Sequence, residues 1–139
     1  MAPRQNRSIV IVAACALLNE SGDVLIAKRP AGRPLAGLWE FPGGKMLDGE
    51  SAGQAAAREV LEETGLSVEP VGELGSLVSS QPELSVILHL VLCRRLNGFA
   101  SPCDSSVLEV RWVTCEELAV LPMPPANAEI VARICPMPA

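Results

Sequence analysis

The chain has few aromatic residues and no long apolar run. Its 139 residues include no tyrosine, two phenylalanines, two tryptophans and one histidine. No apolar stretch reaches the roughly 18 residues that a membrane-spanning helix requires. The stretch 8–18 is apolar but shorter, and no signal-peptide cleavage site follows it. We therefore predict one globular domain with 8–18 as a buried strand, and no membrane partner.

The chain also lacks an excess of positive charge. Eleven Lys and Arg residues stand against sixteen Asp and Glu residues, which gives a net charge of -5. A protein that binds the backbone of a nucleic acid needs a basic surface, so we expect no nucleic-acid polymer as a partner. A free nucleotide remains compatible with this charge, because a metal-chelated triphosphate is accepted by an acidic site.

The cysteines show no C-x-x-C pair and no metal-ligand spacing. An odd number of widely spaced cysteines indicates reduced thiols in a cytoplasmic protein. Cys15 and Cys93 fall inside apolar runs and are predicted to fill the core. The five are Cys15, Cys93, Cys103, Cys115 and Cys135.

The order of patterns predicts strands interspersed with helices, and hence a mixed sheet packed between helices. We expect 8–18 and 24–27 to form a hairpin across the turn 20–23. A helix is predicted from about Ser51, where Ser51 and Gln54 fit a capping box, to a stop at Gly65. The other predicted elements are strands at 38–41, 84–96 and 107–113, a short helix at 116–119 and a last helix after 124–127 that ends near Ile134.

One stretch carries a dense pattern, G-x5-E-x7-R-E-U-x-E-E-x-G-U with U aliphatic. It begins at Gly44, continues through Glu50 and ends in the run 58–66, Arg-Glu-Val-Leu-Glu-Glu-Thr-Gly-Leu. The spacing i, i+3 and i+4 places three carboxylates on one face of a helix, where like charges cost stability. A run of acids on a helix is usually a solvated face. The joint match of every fixed position instead favours a divalent cation that neutralises Glu59, Glu62 and Glu63.

This pattern resembles the Nudix box, and the chain around it resembles the MutT-type nucleoside triphosphate pyrophosphohydrolases. The resemblance implies a Nudix α/β/α sandwich with a mixed β-sheet over residues 8–136, preceded by a flexible segment 1–7. It implies hydrolysis of a nucleoside triphosphate to a monophosphate and pyrophosphate. The expected substrate is 8-oxo-dGTP, the expected partner is a small nucleotide, and the chain would be a monomer or homodimer.

The resemblance also assigns the metal site. The expected cofactor is Mg²⁺, with Mn²⁺ as a substitute, because oxygen ligands suit these ions. The implied ligands are the carbonyl of Gly43 and the carboxylates of Glu59, Glu62 and Glu63. The same acids are expected to orient or deprotonate the attacking water, and the residue that acts as base is left open.

Further catalytic assignments concern the rest of the box and one later acid. Arg58 and Glu50 are the pair that would brace loop and helix, or else take part in the chemistry. Glu109 lies where many Nudix enzymes present an additional acid, although a surface salt bridge is the alternative. His89 is expected to be a satisfied sheet histidine rather than a catalytic one.

Four residues are predicted to bind the substrate. Lys45 follows the Gly-Gly pair and could meet a phosphate, and Arg29 is a second phosphate candidate. Phe41 is expected to touch the base. In 124–127, Pro-Pro-Ala-Asn, Asn127 resembles the residue that reads oxidised guanine, since an amide offers one donor and one acceptor. The alternative is that Asn127 caps the last helix.

Two alternative substrates remain open, and two further functions are disfavoured. A pyrimidine nucleoside triphosphate is one alternative substrate, and ADP-ribose is another. The absence of tyrosine argues against a dinucleoside polyphosphate hydrolase of this family. A non-catalytic Nudix domain that binds nucleotide as a sensor is disfavoured, because such domains typically lose box acids that are present here.

Overall fold

The computed structural model describes residues 8–32, 34–80, 82–103 and 107–135. Within these ranges no helix is long and apolar enough to span a bilayer. The segment 1–7, predicted to be flexible, lies outside them. The elements in chain order are β1 (Ser8–Leu17), β2 (Val24–Lys28), β3 (Trp39–Glu40), β4 (Gly43–Lys45), α1 (Ala52–Thr64), β5 (Ser67–Ser80), β6 (Leu84–Asn97), β7 (Glu109–Val113), α2 (Cys115–Leu118) and α3 (Asn127–Ile134).

The strands form two sheets. The larger has the order β4-β1-β6-β5, and the smaller has the order β3-β2-β7. In the larger sheet β1 runs parallel to β6 but antiparallel to β4, and β5 runs antiparallel to β6. The predicted mixed sheet is therefore confirmed.

The second half of β1, residues 13–17, is buried on both faces and lies at the centre of the molecule. Alternate residues of β1 point to opposite faces of the sheet. Ala13, Cys15 and Leu17 belong to a core cluster with Ala55, Ala56 and Val60 of α1. Ala14 and Ala16 belong to a second cluster, with Ile130 and Ile134 of α3 and with residues of the smaller sheet. The larger sheet thus lies between α1 and α3, as the predicted sandwich requires.

Helix α1 begins and ends where the sequence predicts. The hydroxyl of Ser51 accepts from the N–H of Gln54, and the Gln54 side chain accepts from the N–H of Ser51. Gly65 ends the helix in the left-handed region at φ 79°, which glycine adopts without steric cost. These two caps fix the register of the acidic residues between them.

The predicted hairpin between 8–18 and 24–27 is wrong. β1 and β2 belong to different sheets and are joined only by an isolated bridge between Leu18 and Val24. The continuous burial of 13–17 is typical of a central strand, and β1 pairs with β6 along its whole length and with β4 at residues 12–14. The chain therefore turns after Leu17 and starts a second sheet.

Strand β5 was not predicted. It is 14 residues long but contains Pro70, Gly72 and Gly75, which interrupt a strand pattern. Its register with β6 shifts at three points, two of them at these residues. As the outermost strand of its sheet, β5 tolerates these irregularities, and pairing with β6 supplies the order that its own sequence does not indicate.

The prediction that all five cysteines are reduced is wrong. Cys115, the first residue of α2, forms a disulfide with Cys135, which follows the last turn of α3. Twenty residues separate the two in sequence, and tertiary packing brings them together. Cys15 and Cys93 are free and buried, as predicted, and Cys103 is free and exposed.

Candidate active site

Two glycines lie where strand β4 passes between β1 and α1. Gly43 and Gly44 pair with Ala14 and Ala13 of β1. A Cβ added to Gly44 would stand 2.6–2.8 Å from the carboxylate atoms of Glu59, and one added to Gly43 would collide with the carbonyl oxygen of Ala13. A side chain at Gly43 would therefore require the backbone of β1 to move, whereas one at Gly44 would displace the carboxylate of Glu59 from its place against the strand.

The three acids of α1 occupy different environments. The carboxylate of Glu63 is buried, with 6% of the residue exposed, and both its oxygens lie 3.4 Å from the N–H of Gly43. The Glu59 side chain is 18% exposed, whereas that of Glu62 is 51% exposed. Glu59 and Glu63 therefore lie close to the glycine backbone, and Glu62 faces solvent.

The guanidinium of Arg58 ties the acidic helix to the loop that precedes it. It donates to Glu50 from Nε at 2.6 Å and from Nη2 at 3.0 Å, to Glu59 from Nη1 at 2.9 Å, and to the carbonyl of Lys45 at 3.0 Å. The hydrogen bonds with Glu50 raise the pKa of Arg58 above its ordinary value. The same bonds, with a further one from the N–H of Leu47, lower the pKa of the Glu50 carboxyl.

The oxygen atoms of Glu59, Glu63 and the Gly43 carbonyl are ligands that suit a hard divalent cation. Mg²⁺ takes oxygen ligands, keeps several waters and commonly uses one or two carboxylates together with substrate phosphates. Glu59 and Glu63, beside the carbonyl of Gly43, offer such a set. Across 8–32, 34–80, 82–103 and 107–135, no group of three or more His, Cys, Asp or Glu side chains is gathered closely enough to hold a metal. Glu62 lies 3.3 Å from Nη1 of Arg58, the nitrogen that also donates to Glu59 at 2.9 Å, and its role as a metal ligand stays a prediction.

The buried thiol of Cys15 lies under helix α1, near Glu63. The hydrogen bond between Cys15 and Cys93, burial, and the negative charge of Glu63 together raise the pKa of the Cys15 thiol well above its ordinary value. A buried thiol with a raised pKa is a poor nucleophile. The role of Cys15 is to fill the core under α1.

A cleft opens on the opposite face of β1 and reaches the same two glycines. Its volume is about 250 Å³. One wall carries the ion pair of Arg29 and Glu40, and the remaining side chains are mostly apolar. The lining residues are Val12, Ala13, Ala14, Arg29, Glu40, Phe41, Gly43, Gly44, Val86, Leu88, Asn127 and Ile130.

Asn127 is buried in this cleft and does not cap α3. The residue in the capping position is Ala126, and no side chain forms a cap hydrogen bond there. The backbone N–H of Asn127 is already bonded to the carbonyl of Pro124 at 2.9 Å. The alternative prediction that Asn127 is a helix cap is therefore wrong, and Asn127 instead lines the cleft.

Comparison with known proteins identifies the family. The model of the NUDIX domain matches residues 8–134. The chain belongs to the NUDIX family. It is a NUDIX pyrophosphohydrolase, and this family acts on small nucleotide substrates and generally uses divalent metals.

Individual NUDIX relatives differ in their substrates. The chain is 34% identical over 125 residues to the CTP pyrophosphohydrolase of Escherichia coli K12. The aligned region covers 88% of this chain and 89% of the relative. The chain is 29% identical over 123 residues to the 8-oxo-dGTP diphosphatase of the same organism, covering 88% and 94%. The crystal structure of the MutT protein from Methanosarcina mazei superposes with a TM-score of 0.79 at 27% identity, covering 92% and 94%.

Two residues predicted for the NUDIX site, Lys45 and Glu109, lie apart from the cleft lining, as does His89, which was expected to be a satisfied sheet histidine. The side chain of Lys45 is exposed on β4, one residue beyond Gly44. Glu109 forms an ion pair with Arg111 at 3.0 Å on β7, the arrangement given above as its alternative. His89 is 3.0 Å from the hydroxyl of Ser76 on the neighbouring strand. The catalytic role of Glu109 and the phosphate role of Lys45 stay predictions.

Several lining residues of the NUDIX cleft were not predicted. Glu40 stands between Trp39 and Phe41 in the sequence, and its pairing with Arg29 depends on the junction of β2 and β3. Val86 and Leu88 belong to an apolar strand in which no residue stands out. Only the pleat of β6, which points these two side chains to the α3 side, distinguishes them from their neighbours.

Proposed function

We propose that this NUDIX enzyme hydrolyses 8-oxo-dGTP to 8-oxo-dGMP and pyrophosphate with Mg²⁺ as cofactor, and so removes an oxidised nucleotide before it enters DNA. The observation that carries the proposal is the position of Asn127. Its amide lies in a cleft that adjoins Gly43 and Gly44, while the acids of α1 lie on the other side of the same glycines. A nucleotide with its base in the cleft would extend its phosphates towards the acids.

The chemistry of the amide supports an oxidised purine. Guanine presents two acceptors, O6 and N7, along one edge. Oxidation at C8 places a hydrogen on N7, so that the edge offers one acceptor and one donor. The amide of Asn127 offers one donor and one acceptor and can satisfy both. With unmodified guanine one amide group would be left unpaired in a buried site, which costs binding free energy.

The acids and the arginine supply the hydrolytic half of the site. Bound divalent metal would screen the phosphate charges and lower the pKa of an attacking water. Glu59, Glu63 and the carbonyl of Gly43 would hold it. Glu62, which faces solvent 3.3 Å from Arg58, is available to orient water. Arg58 keeps Glu59 in place through its 2.9 Å hydrogen bond.

CTP is the second candidate substrate. The observation in its favour is the 34% identity with the CTP pyrophosphohydrolase of Escherichia coli, compared with 29% for the 8-oxo-dGTP diphosphatase. An amide can also pair with cytosine, whose edge carries an N4 donor beside an acceptor. Asn127 therefore supports a base that offers a donor beside an acceptor, and the hydrolysis panel decides between the two such bases.

A hydrolysis panel separates them. Pyrophosphate release would be measured with Mg²⁺ for 8-oxo-dGTP, dGTP, dCTP and CTP, and phosphate-chain cleavage would be measured for ADP-ribose. We expect kcat/KM to be highest for 8-oxo-dGTP. A clear preference for CTP would replace the first candidate with the second, and a preference for ADP-ribose would exclude both.

A further inference from the structure

The cleft contains one ion pair, between Arg29 and Glu40. Arg29 follows the end of β2, Glu40 ends β3, and Nε of Arg29 lies 3.0 Å from Oε2 of Glu40. The Arg29 side chain is 33% exposed and the Glu40 side chain 32% exposed. Nη1 of the same guanidinium is 3.4 Å from the carbonyl of Pro34. Two contacts therefore fix the orientation of the guanidinium at the wall of the cleft.

The carboxylate compensates the charge of the arginine. A phosphate placed beside this pair would gain attraction from Arg29 but would also be repelled by Glu40 at a similar distance. A neutral polar group meets no such opposition, because it can accept from the guanidinium or donate to the carboxylate. Burial raises the pKa of Glu40 and outweighs the lowering effect of Arg29.

The rest of the cleft suits a flat apolar group. Phe41, Val86, Leu88 and Ile130 line it, and its volume of about 250 Å³ lies below the roughly 300–1,000 Å³ typical of pockets that enclose a whole drug-sized ligand. The cleft therefore has room for a base, and the triphosphate must lie outside it.

We propose that Glu40 is a positioning residue that determines specificity by holding Arg29 against the nucleobase rather than the phosphate chain. This inference rests on the proposed nucleotide substrate and differs from the prediction that Arg29 binds phosphate. Nη2 of Arg29 forms no hydrogen bond with the residues that the structure describes. Guanidinium donors match the acceptors of a base edge. Glu40 Oε1, which also accepts no hydrogen bond from those residues, remains for a donor on the same base.

Binding of the two halves of the substrate tests this assignment. The probes are the neutral nucleosides 8-oxo-deoxyguanosine, deoxyguanosine and deoxycytidine for the cleft, and inorganic tripolyphosphate with Mg²⁺ for the phosphate site. Kd would be measured by calorimetry for the wild type and for Glu40→Ala, Glu40→Gln and Arg29→Ala. Glu69→Ala is the matched control, because Glu69 also pairs with an arginine, Arg94, but does not line the cleft.

We expect the cleft variants to lose affinity for the nucleoside but not for tripolyphosphate. Glu40→Ala and Arg29→Ala should each weaken binding of the preferred nucleoside by about tenfold, the scale of a hydrogen bond to a charged group. Tripolyphosphate affinity should stay within about twofold in both variants, since neither removes a phosphate contact. Glu40→Gln should retain most of the nucleoside affinity, because its amide oxygen still accepts from Arg29. In hydrolysis, KM should rise in Glu40→Ala with kcat little changed.

Several results would overturn the assignment. One is an equal loss of tripolyphosphate and nucleoside affinity in Arg29→Ala, since that would make Arg29 a phosphate ligand. Unchanged nucleoside binding in Glu40→Ala, or no nucleoside binding by the wild type, would also do so. The choice of substrate is decided separately. A wild type that prefers CTP, with a Glu40→Ala defect on deoxycytidine, would sustain the assignment while replacing the proposed substrate.

Discussion

Arg58 donates two hydrogen bonds to Glu50, from Nε to Oε2 at 2.6 Å and from Nη2 to Oε1 at 3.0 Å. The pair joins helix α1 to the loop before it, because Glu50 also accepts from the N–H of Leu47 at 2.8 Å. A two-point contact between a guanidinium and a carboxylate fixes orientation as well as distance. Arg58 therefore sets the position of the acidic helix relative to the Gly43–Gly44 backbone.

Replacing Arg58 by alanine should lower both activity and stability. The change removes the link between loop and helix and leaves Glu50 and Glu59 without their shared cation. We expect a lower melting temperature together with a fall in kcat of at least about tenfold. Arg94→Ala, which breaks an exposed ion pair on β6, is the control and should change neither. Lost activity with unchanged melting would instead indicate that Arg58 acts on the substrate.

The Arg58–Glu50 pair should also shape the pH dependence of stability. Folding lowers the pKa of Glu50 below its ordinary value of 4.5, so the stabilisation is present above pH 4.5 and is lost as pH falls through the folded-state pKa. In urea unfolding, the difference between wild type and Glu50→Gln should be largest near neutral pH and shrink on acidification. An equal difference at pH 7 and pH 3 would contradict an ionic origin. Glu116→Gln, on the exposed side of α2, is the control.

Activity should depend on a divalent metal held at Glu63. We expect loss of hydrolysis in EDTA and its return with Mg²⁺. Glu63→Gln keeps the size of the buried side chain but removes its charge, and should lower kcat by about 100-fold or more, the scale for disturbing a metal ligand. Titration of the variant with Mn²⁺ under spin-resonance detection should show weaker metal binding. Near-normal turnover of Glu63→Gln would remove this residue from the metal site.

The parts of the molecule governed by local chemistry could be predicted from the sequence. Helix α1 is an example, since Ser51, Gln54 and Gly65 act within a few residues of the helix ends. The last helix after Pro124 and Pro125 follows the same logic. Strand pairing is not local, and the predicted hairpin failed because β1 pairs with β4 and β6. No pattern within 8–27 reveals that both edges of β1 are occupied.

The candidate site could likewise be predicted only where its features are local in sequence. The spacing of Glu59, Glu62 and Glu63 indicated a shared helix face, but it could not show that Glu63 is buried beside Gly43 while Glu62 faces solvent. The pairing of Glu40 with Arg29 depends on two strands of the smaller sheet, which leave no mark in either segment alone. Contacts between distant segments are the part that sequence patterns miss.

The Cys115–Cys135 disulfide provides a test of one such contact. Under non-reducing denaturing conditions, thiol titration should find three free cysteines out of five, and five after reduction. By the loop-entropy estimate, a bridge across 20 residues contributes about 3 kcal/mol, so Cys115→Ser should lower the melting temperature. Cys103→Ser, at an exposed free thiol, is the control. Five reactive thiols before reduction would show that the bridge does not form in solution.

The most specific prediction concerns Asn127. If its amide reads the oxidised edge of guanine, the wild type should prefer 8-oxo-dGTP to dGTP by a large factor, and Asn127→Ala should remove much of that preference. The loss of discrimination should be about 1–3 kcal/mol, the value of a two-point contact with a base edge.

The substitution leaves the acids of α1 in place, so hydrolysis of dGTP should change little. Ala128→Ser, at the next position of α3, serves as the control because that residue does not line the cleft. Comparison of kcat/KM for the two nucleotides in each variant gives the answer. An equal fall on both nucleotides would mean that Asn127 supports the structure of the cleft, since a reader of the base must affect one substrate more than the other.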